Sequence, residues 1–176
     1  MVSARSEQIE ILRNAIQMEI QGEDFFLKMA ERVRHPNTKS MFSSLARQEQ
    51  RHVDVLKEEL SRLEGGSDWI SPSSVKLKPN SAASASVFHG EGGAGLEIDP
   101  KAGELEAIKL GIEIEKRSID YYRKTGAEVM GLKAKMVFNW LVGEEAGHLT
   151  ILTAEYDNRS RSGFYFDTPE FSLEVM

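Results

Sequence analysis

Glu49 and His52 stand three residues apart in Leu45-Ala46-Arg47-Gln48-Glu49-Gln50-Arg51-His52, and Glu145 and His148 repeat the pair in Leu141-Val142-Gly143-Glu144-Glu145-Ala146-Gly147-His148. Both pairs lie in runs of helical periodicity, where residues i and i+3 share a face. Two further carboxylates, Glu19 and Glu115, fall in register with apolar stripes. Burying an ionised carboxylate without a partner is costly, and four together also repel one another. No Lys or Arg lies on these stripes at the same height. Two divalent cations would balance four carboxylates. Oxygen-rich ligation with one imidazole per metal suits iron or manganese, and zinc less well, because such a site can exceed four ligands.

The elements that must position these residues follow from apolar spacing. A helix is predicted over residues 6–33, with Ile9, Leu12, Ile16, Phe26, Ala30 and Val33 on its stripe and Glu19 in the same register. His35-Pro36-Asn37 ends it, since proline disfavours helix in the residue before it. A second helix runs from Pro36 to Glu64, with Phe42, Leu45, Glu49, His52, Leu56, Leu60 and Leu63 in line and Gly65-Gly66 as its stop. Residues 65–98, rich in Ser, Gly, Ala, Asn and Pro, read as a long connection in which Val75–Lys78 forms a short extended piece. A crossover of helix length is what parallel second and third helices require. The third helix is expected to open at Asp99-Pro100 and to carry Leu105, Ile108, Ile112, Glu115, Ile119, Tyr122, Gly126 and Val129. Gly131 marks the next turn. The fourth helix runs to Asn158 with Ala134, Phe138, Leu141, Glu145, His148, Leu152 and Tyr156.

The chain is internally duplicated. Shifting it by 96 residues aligns 9–56 with 105–152 without a gap and gives twelve identities in forty-eight positions, including Glu19/Glu115, Glu49/Glu145 and His52/His148. Residues equidistant from the turn of an antiparallel hairpin lie at one height. The midpoint of Glu19 and Glu49 is residue 34, and that of Glu115 and Glu145 is residue 130; both coincide with the predicted turns. All six polar residues should therefore meet in one layer, roughly 22 Å from each turn. The expected fold is all-α, a four-helix bundle of two duplicated hairpins over residues 1–160. An aromatic tail over 161–176 is expected to pack on the bundle or on a second subunit.

Composition excludes several alternatives. There are no cysteines, so disulfides, thiolate metal sites and cysteine nucleophiles are out, and a reducing cytoplasm is the expected compartment. A net charge of −6 with scattered basic residues disfavours nucleic acid. No apolar run spans a membrane, and the N-terminus has no signal-peptide core.

A glutamate from each of two helices with Glu-x-x-His from each of the other two is the ligand set of ferritin-like di-iron proteins. The residues at 19, 49, 52, 115, 145 and 148 resemble that family over about residues 6–158, and more closely its rubrerythrin-like branch, whose small members end much as Gly163-Phe164-Tyr165-Phe166 and Pro169-Glu170-Phe171 do here. The resemblance implies a ferritin-like bundle with two iron ions (manganese is an option), bridged by Glu49 and Glu145. Glu19 with His52 and Glu115 with His148 would be terminal ligands. It implies an oxidoreductase acting on hydrogen peroxide or dioxygen. The alternatives are an iron-handling ferroxidase, a manganese catalase or a non-catalytic metal-stabilised module. Two departures stand out. Ser118 occupies the position where rubrerythrins proper carry a further ligand glutamate, and no cysteine-ligated rubredoxin domain is present, so the electron donor would be a separate rubredoxin-like protein. Tyr122, one turn of the stripe from Glu115, is expected to hydrogen-bond a ligand carboxylate and is a candidate proton donor. Asp24, Asp120, Glu23, Glu113 and Glu144 are read as solvated helix-face residues, His35 as a turn residue and His89 as a loop residue. A homodimer is expected.

Overall fold

The computed structural model describes residues 4–74 and 103–160, together with the backbone of 164–165 and 168–169. Four helices carry the fold: α1 Ala4–Arg32, α2 Pro36–Glu64, α3 Glu104–Glu128 and α4 Leu132–Ser160. A short 3-10 turn lies at Pro72–Ser74. Beyond α4, β1 Phe164–Tyr165 pairs antiparallel with β2 Thr168–Pro169 and rests against α4. The bundle expected from periodicity is thus present. The extended piece at Val75–Lys78, His89 and the tail side chains lie outside the described residues.

The turns form for local reasons. His35 sits extended before Pro36, which occupies the first turn of α2, where its missing N–H costs nothing. At the end of α2, Gly66 adopts φ 81°, and Ser67 N–H returns to the Arg62 carbonyl at 2.8 Å. Gly131, φ 98°, makes the corresponding reversal before α4. The third helix departs from expectation: it begins at Glu104 after an extended Gly103, whereas Asp99 and Pro100 lie outside the described residues. Glu104 explains that start. Its carboxylate accepts the backbone N–H groups of Arg34 at 2.7 Å and His35 at 2.9 Å, and pairs with Arg159. One residue thereby ties the first turn to the start of α3 and the end of α4.

Helix directions follow from such contacts. Gln8 donates to the Met130 carbonyl at 2.8 Å, so the start of α1 meets the end of α3 and the two run antiparallel. Hence α2 and α3 are parallel, with residues 65–103 connecting them. The first part of that connection is not mere loop. Trp69 is buried, donates to Gln8 at 3.1 Å and meets Phe138 edge-on, closing one end of the core.

Two apolar clusters fill the bundle. One contains Leu12, Ile16, Leu56, Leu63, Trp69, Phe138 and Leu141; the other contains Phe25, Phe26, Met29, Phe42, Leu45, Ile108 and Leu152. Each large side chain buried there contributes about 1.5–3 kcal/mol. Close approach of α3 is set by small residues: a Cβ on Gly111 would lie 3.1 Å from Leu152 and 3.4 Å from Phe26. Between the clusters runs the polar layer.

A further buried carboxylate sits apart from that layer. Glu59 of α2 is fully buried and accepts the backbone N–H of Ile70 at 3.2 and 3.3 Å, which pins the crossover beside Trp69. Burial pushes its carboxyl up from 4.5 to about 7, against the pull of the Ile70 N–H and Arg62. A raised native pKa means that the folded protein binds this proton first, so stability falls as pH rises through the interval from 4.5 to about 7. Glu59→Gln keeps an acceptor for Ile70 without the charge. Thermal melts should show the variant gaining on the wild type between pH 5 and pH 8, by about 1–2 kcal/mol. An unchanging difference would refute the assignment.

Candidate metal centre

The polar layer is assembled by one helical turn repeated on four elements. Glu19 comes from α1, Glu49 and His52 from α2, Glu115 from α3, Glu145 and His148 from α4, and none exceeds 3% exposure. Each replaces an apolar residue at stripe spacing, so each points inward with its leucine and phenylalanine neighbours. The structure brings all six sequence-predicted residues together.

They form two overlapping groups. Glu19, Glu49, His52 and Glu145 each offer a ligand atom within 4.8 Å of the others, and so do Glu49, Glu115, Glu145 and His148. Glu49 and Glu145 belong to both. The histidines face inward through Nδ1. His52 Nδ1 lies 3.1 Å from Glu19, 3.3 Å from Glu49 and 3.3 Å from Glu145. His148 Nδ1 lies 3.0 Å from Glu49, 3.4 Å from Glu115 and 2.9 Å from Glu145. The rings stack 5.3 Å apart.

The layer is electrostatically unfinished as a purely organic cluster. Burial, reinforced for Glu19 by Glu49 and for Glu115 by Glu145, raises both terminal carboxyls well above the usual carboxylate range. Burial also opposes ionisation of Glu49, but the facing Glu19, His148 and His52 outweigh it and hold that carboxyl low. Burial disfavours charge on the imidazoles, yet the surrounding carboxylates push His148 up to about 12 and His52 well above its ordinary value. Even so, Glu115 Oε1, both Glu145 oxygens, His148 Nδ1 and Nε2, and His52 Nε2 are buried without a hydrogen bond. Buried polar groups are rarely left so, and several converging on one point suit cations. Acidic oxygens with one imidazole per group are donors for iron or manganese.

Tyr122 is fully buried and donates its O–H to Glu19, on the opposite half of the bundle from Glu115. The expected hydrogen bond to a ligand carboxylate is present, and the partner is supplied by the packing of α1 on α3. Burial and the Glu19 charge keep the phenol protonated.

The family model for rubrerythrin matches residues 10–156. The chain belongs to the rubrerythrin family. It is also similar in fold to a solved hypothetical protein from Pyrococcus furiosus, with 22% identity, a TM-score of 0.63, and coverage of 89% of this chain and 92% of that one. Among curated proteins, none matches. As in the ferritin-like architecture to which rubrerythrins belong, the buried carboxylate and histidine cluster fits a di-iron protein. No helix among the described residues is long and apolar enough to cross a membrane.

The structure also corrects one expectation. Glu144 is not simply solvated: its side chain is 31% exposed and its carboxylate lies 3.6 Å from His52 Nε2. One residue from Glu145 is a rotation of about 100°, which on α4 faces the outer edge of the histidine on α2. His52 in turn holds the Glu144 carboxyl below its usual range. Glu23 is half-buried. The other surface assignments hold. Asp24 pairs with Lys28 at 2.5 Å, Glu113 with Lys116 at 3.4 Å and Asp120 with Arg123 at 4.0 Å. His35 lies in the turn before α2, as expected.

Proposed function

We propose that this rubrerythrin is a di-iron oxidoreductase that reduces hydrogen peroxide or dioxygen. The reading rests on one observation: two four-residue groups of buried Glu and His share Glu49 and Glu145. In this reading Glu49 and Glu145 would serve both ions, Glu19 and His52 would complete the set for one, and Glu115 and His148 would complete it for the other. Iron held by these residues would supply the one-electron redox chemistry that reduction of an oxygen–oxygen bond needs. The chain's own contribution is placement and protons. The apolar clusters above and below exclude water from the layer. Tyr122 holds a proton at Glu19 Oε1, where it can be passed inward. Ser118, on a partly buried stretch of α3, offers no carboxylate where rubrerythrins proper have one, so Glu115 acts alone on that helix. With no cysteine in the sequence, electrons come from a separate donor such as a rubredoxin-like protein.

The test is turnover of hydrogen peroxide by iron-loaded protein with an added electron donor, run beside oxidation of ferrous iron without one. Donor-dependent peroxide loss supports the reading. Iron oxidation with release of ferric product, and no donor-dependent turnover, would replace it with iron handling. Tyr122→Phe removes the O–H and keeps the ring. It should leave two ions bound and lower peroxide turnover about 10- to 100-fold; unchanged turnover would remove Tyr122 from the proton path.

A further inference from the structure

The two halves of the centre offer the same ligand types and differ in what stands behind their histidines. The duplication pairs Glu144 with Gln48 and Trp140 with Ser44. Behind His52, therefore, stand a carboxylate and an indole. Glu144 lies 3.6 Å from His52 Nε2, a charge contact a few tenths of an ångström longer than a hydrogen bond, and the Trp140 ring meets His52 edge-on with centroids 5.3 Å apart. At the corresponding positions of α2 the duplication puts an amide and a hydroxyl. Gln48 turns away and donates to the Ser44 carbonyl of its own helix at 3.4 Å. Both Nε2 atoms are buried without a hydrogen bond, but among the described residues no carboxylate lies within 4.0 Å of His148 Nε2, whereas Glu144 lies within that distance of His52 Nε2.

This difference acts on ligand strength. A histidine that binds metal through one nitrogen is fixed in tautomer and made more basic when the other N–H faces a carboxylate. Glu144 favours the proton on His52 Nε2 and leaves the Nδ1 lone pair directed at Glu19, Glu49 and Glu145. Among the described residues no carboxylate does this for His148. We propose that the centre holds two unequal metal subsites, in which Glu144, acting through His52 as a positioning residue, makes the Glu19–His52 side the tighter one and the first to be filled. This rests on the metal-binding reading given above. It adds an order of loading, with the Glu115–His148 side the one from which an ion is more readily lost or exchanged.

Trp140 provides a local reporter, since the sequence has only two tryptophans. In a Trp69→Phe background, metal-stripped protein is titrated with Co²⁺, an oxidation-insensitive probe, by calorimetry and by tryptophan emission. Two binding steps are expected, separated by about 10- to 100-fold in affinity, with Trp140 quenching complete at one equivalent. Glu144→Gln gives both histidines an amide behind them. It should narrow the gap to a few-fold and spread the quenching over two equivalents, without loss of the second ion. Gln48→Glu should narrow the gap from the other side by tightening the second step. A variant that merely loosened the fold would weaken both steps and leave their order unchanged. Two equal steps in the parent protein, or a first equivalent that leaves Trp140 emission intact, would overturn the proposal while the metal centre stands. Absence of any Co²⁺ binding would overturn both.

Discussion

Replacing Glu49 or Glu145 by alanine is expected to abolish binding of both metal ions, whereas Glu19→Ala or Glu115→Ala should abolish one. The asymmetry follows from membership: Glu49 and Glu145 belong to both four-residue groups, while Glu19 and Glu115 belong to one each. Elemental analysis of protein loaded anaerobically with ferrous iron and freed of excess reads the result directly. About two ions per chain are expected for the wild type, fewer than half an ion for the first two variants and about one for the second two. Glu49→Gln controls for folding. It conserves volume in a layer packed between two apolar clusters, and removes only the charge. If Glu49→Ala and Glu145→Ala both retained two ions, the shared-ligand assignment would be wrong, and the six residues would have to be divided into separate sites.

The reach of the sequence, and its limit, can be seen in these same residues. A ligand on a helix stripe is written in one dimension. Its spacing from neighbouring leucines places it inward, and the 96-residue duplication places its mate at equal height. Both constraints are patterns along the chain itself, so Glu19, Glu49, His52, Glu115, Glu145 and His148 are legible as inward-facing residues of one layer in the order of residues alone. So is Pro36 as the first residue of α2, because proline chemistry is local. What escapes such a reading depends on which helix lies beside which. Glu144 sits off its own stripe and matters only because α2 presents His52 there. The partner of Tyr122 is on α1 rather than on its own helix. Trp69 packs, and Glu59 accepts the Ile70 N–H, where the crossover leaves α2, and no periodic pattern marks a connection held by a single indole and one backbone N–H. The start of α3 at Glu104 is fixed by a contact with the first turn, some seventy residues earlier in the chain.

Metal binding should release protons and should stabilise the protein more as pH rises. The metal-free layer keeps itself tolerable by holding protons: burial raises Glu19 and Glu115, and the carboxylates around them hold protons on His52 and His148. Ligation requires these groups unprotonated, so loading both ions expels about two to four protons. The sign of the stability change follows. For groups whose native pKa is raised, the stabilisation is complete below the unfolded value and is lost as pH climbs toward the folded one, which for His148 means from 6.5 toward about 12. The stripped protein therefore loses ground with rising pH. The loaded protein, whose ligands carry no protons to lose, gains relative to it by about 1.4 kcal/mol per pH unit for each proton released. Thermal melts of stripped and Mn²⁺-loaded protein at pH 6, 7 and 8 should show a gap in Tm that widens with pH, and a weakly buffered indicator should register the protons as metal is added. A gap that stays constant, with no proton release, would mean that the layer is already ionised before metal arrives. The four carboxylates would then have to be held apart by something other than the protons on their two histidine partners, and among the described residues no Lys or Arg pairs with any of them.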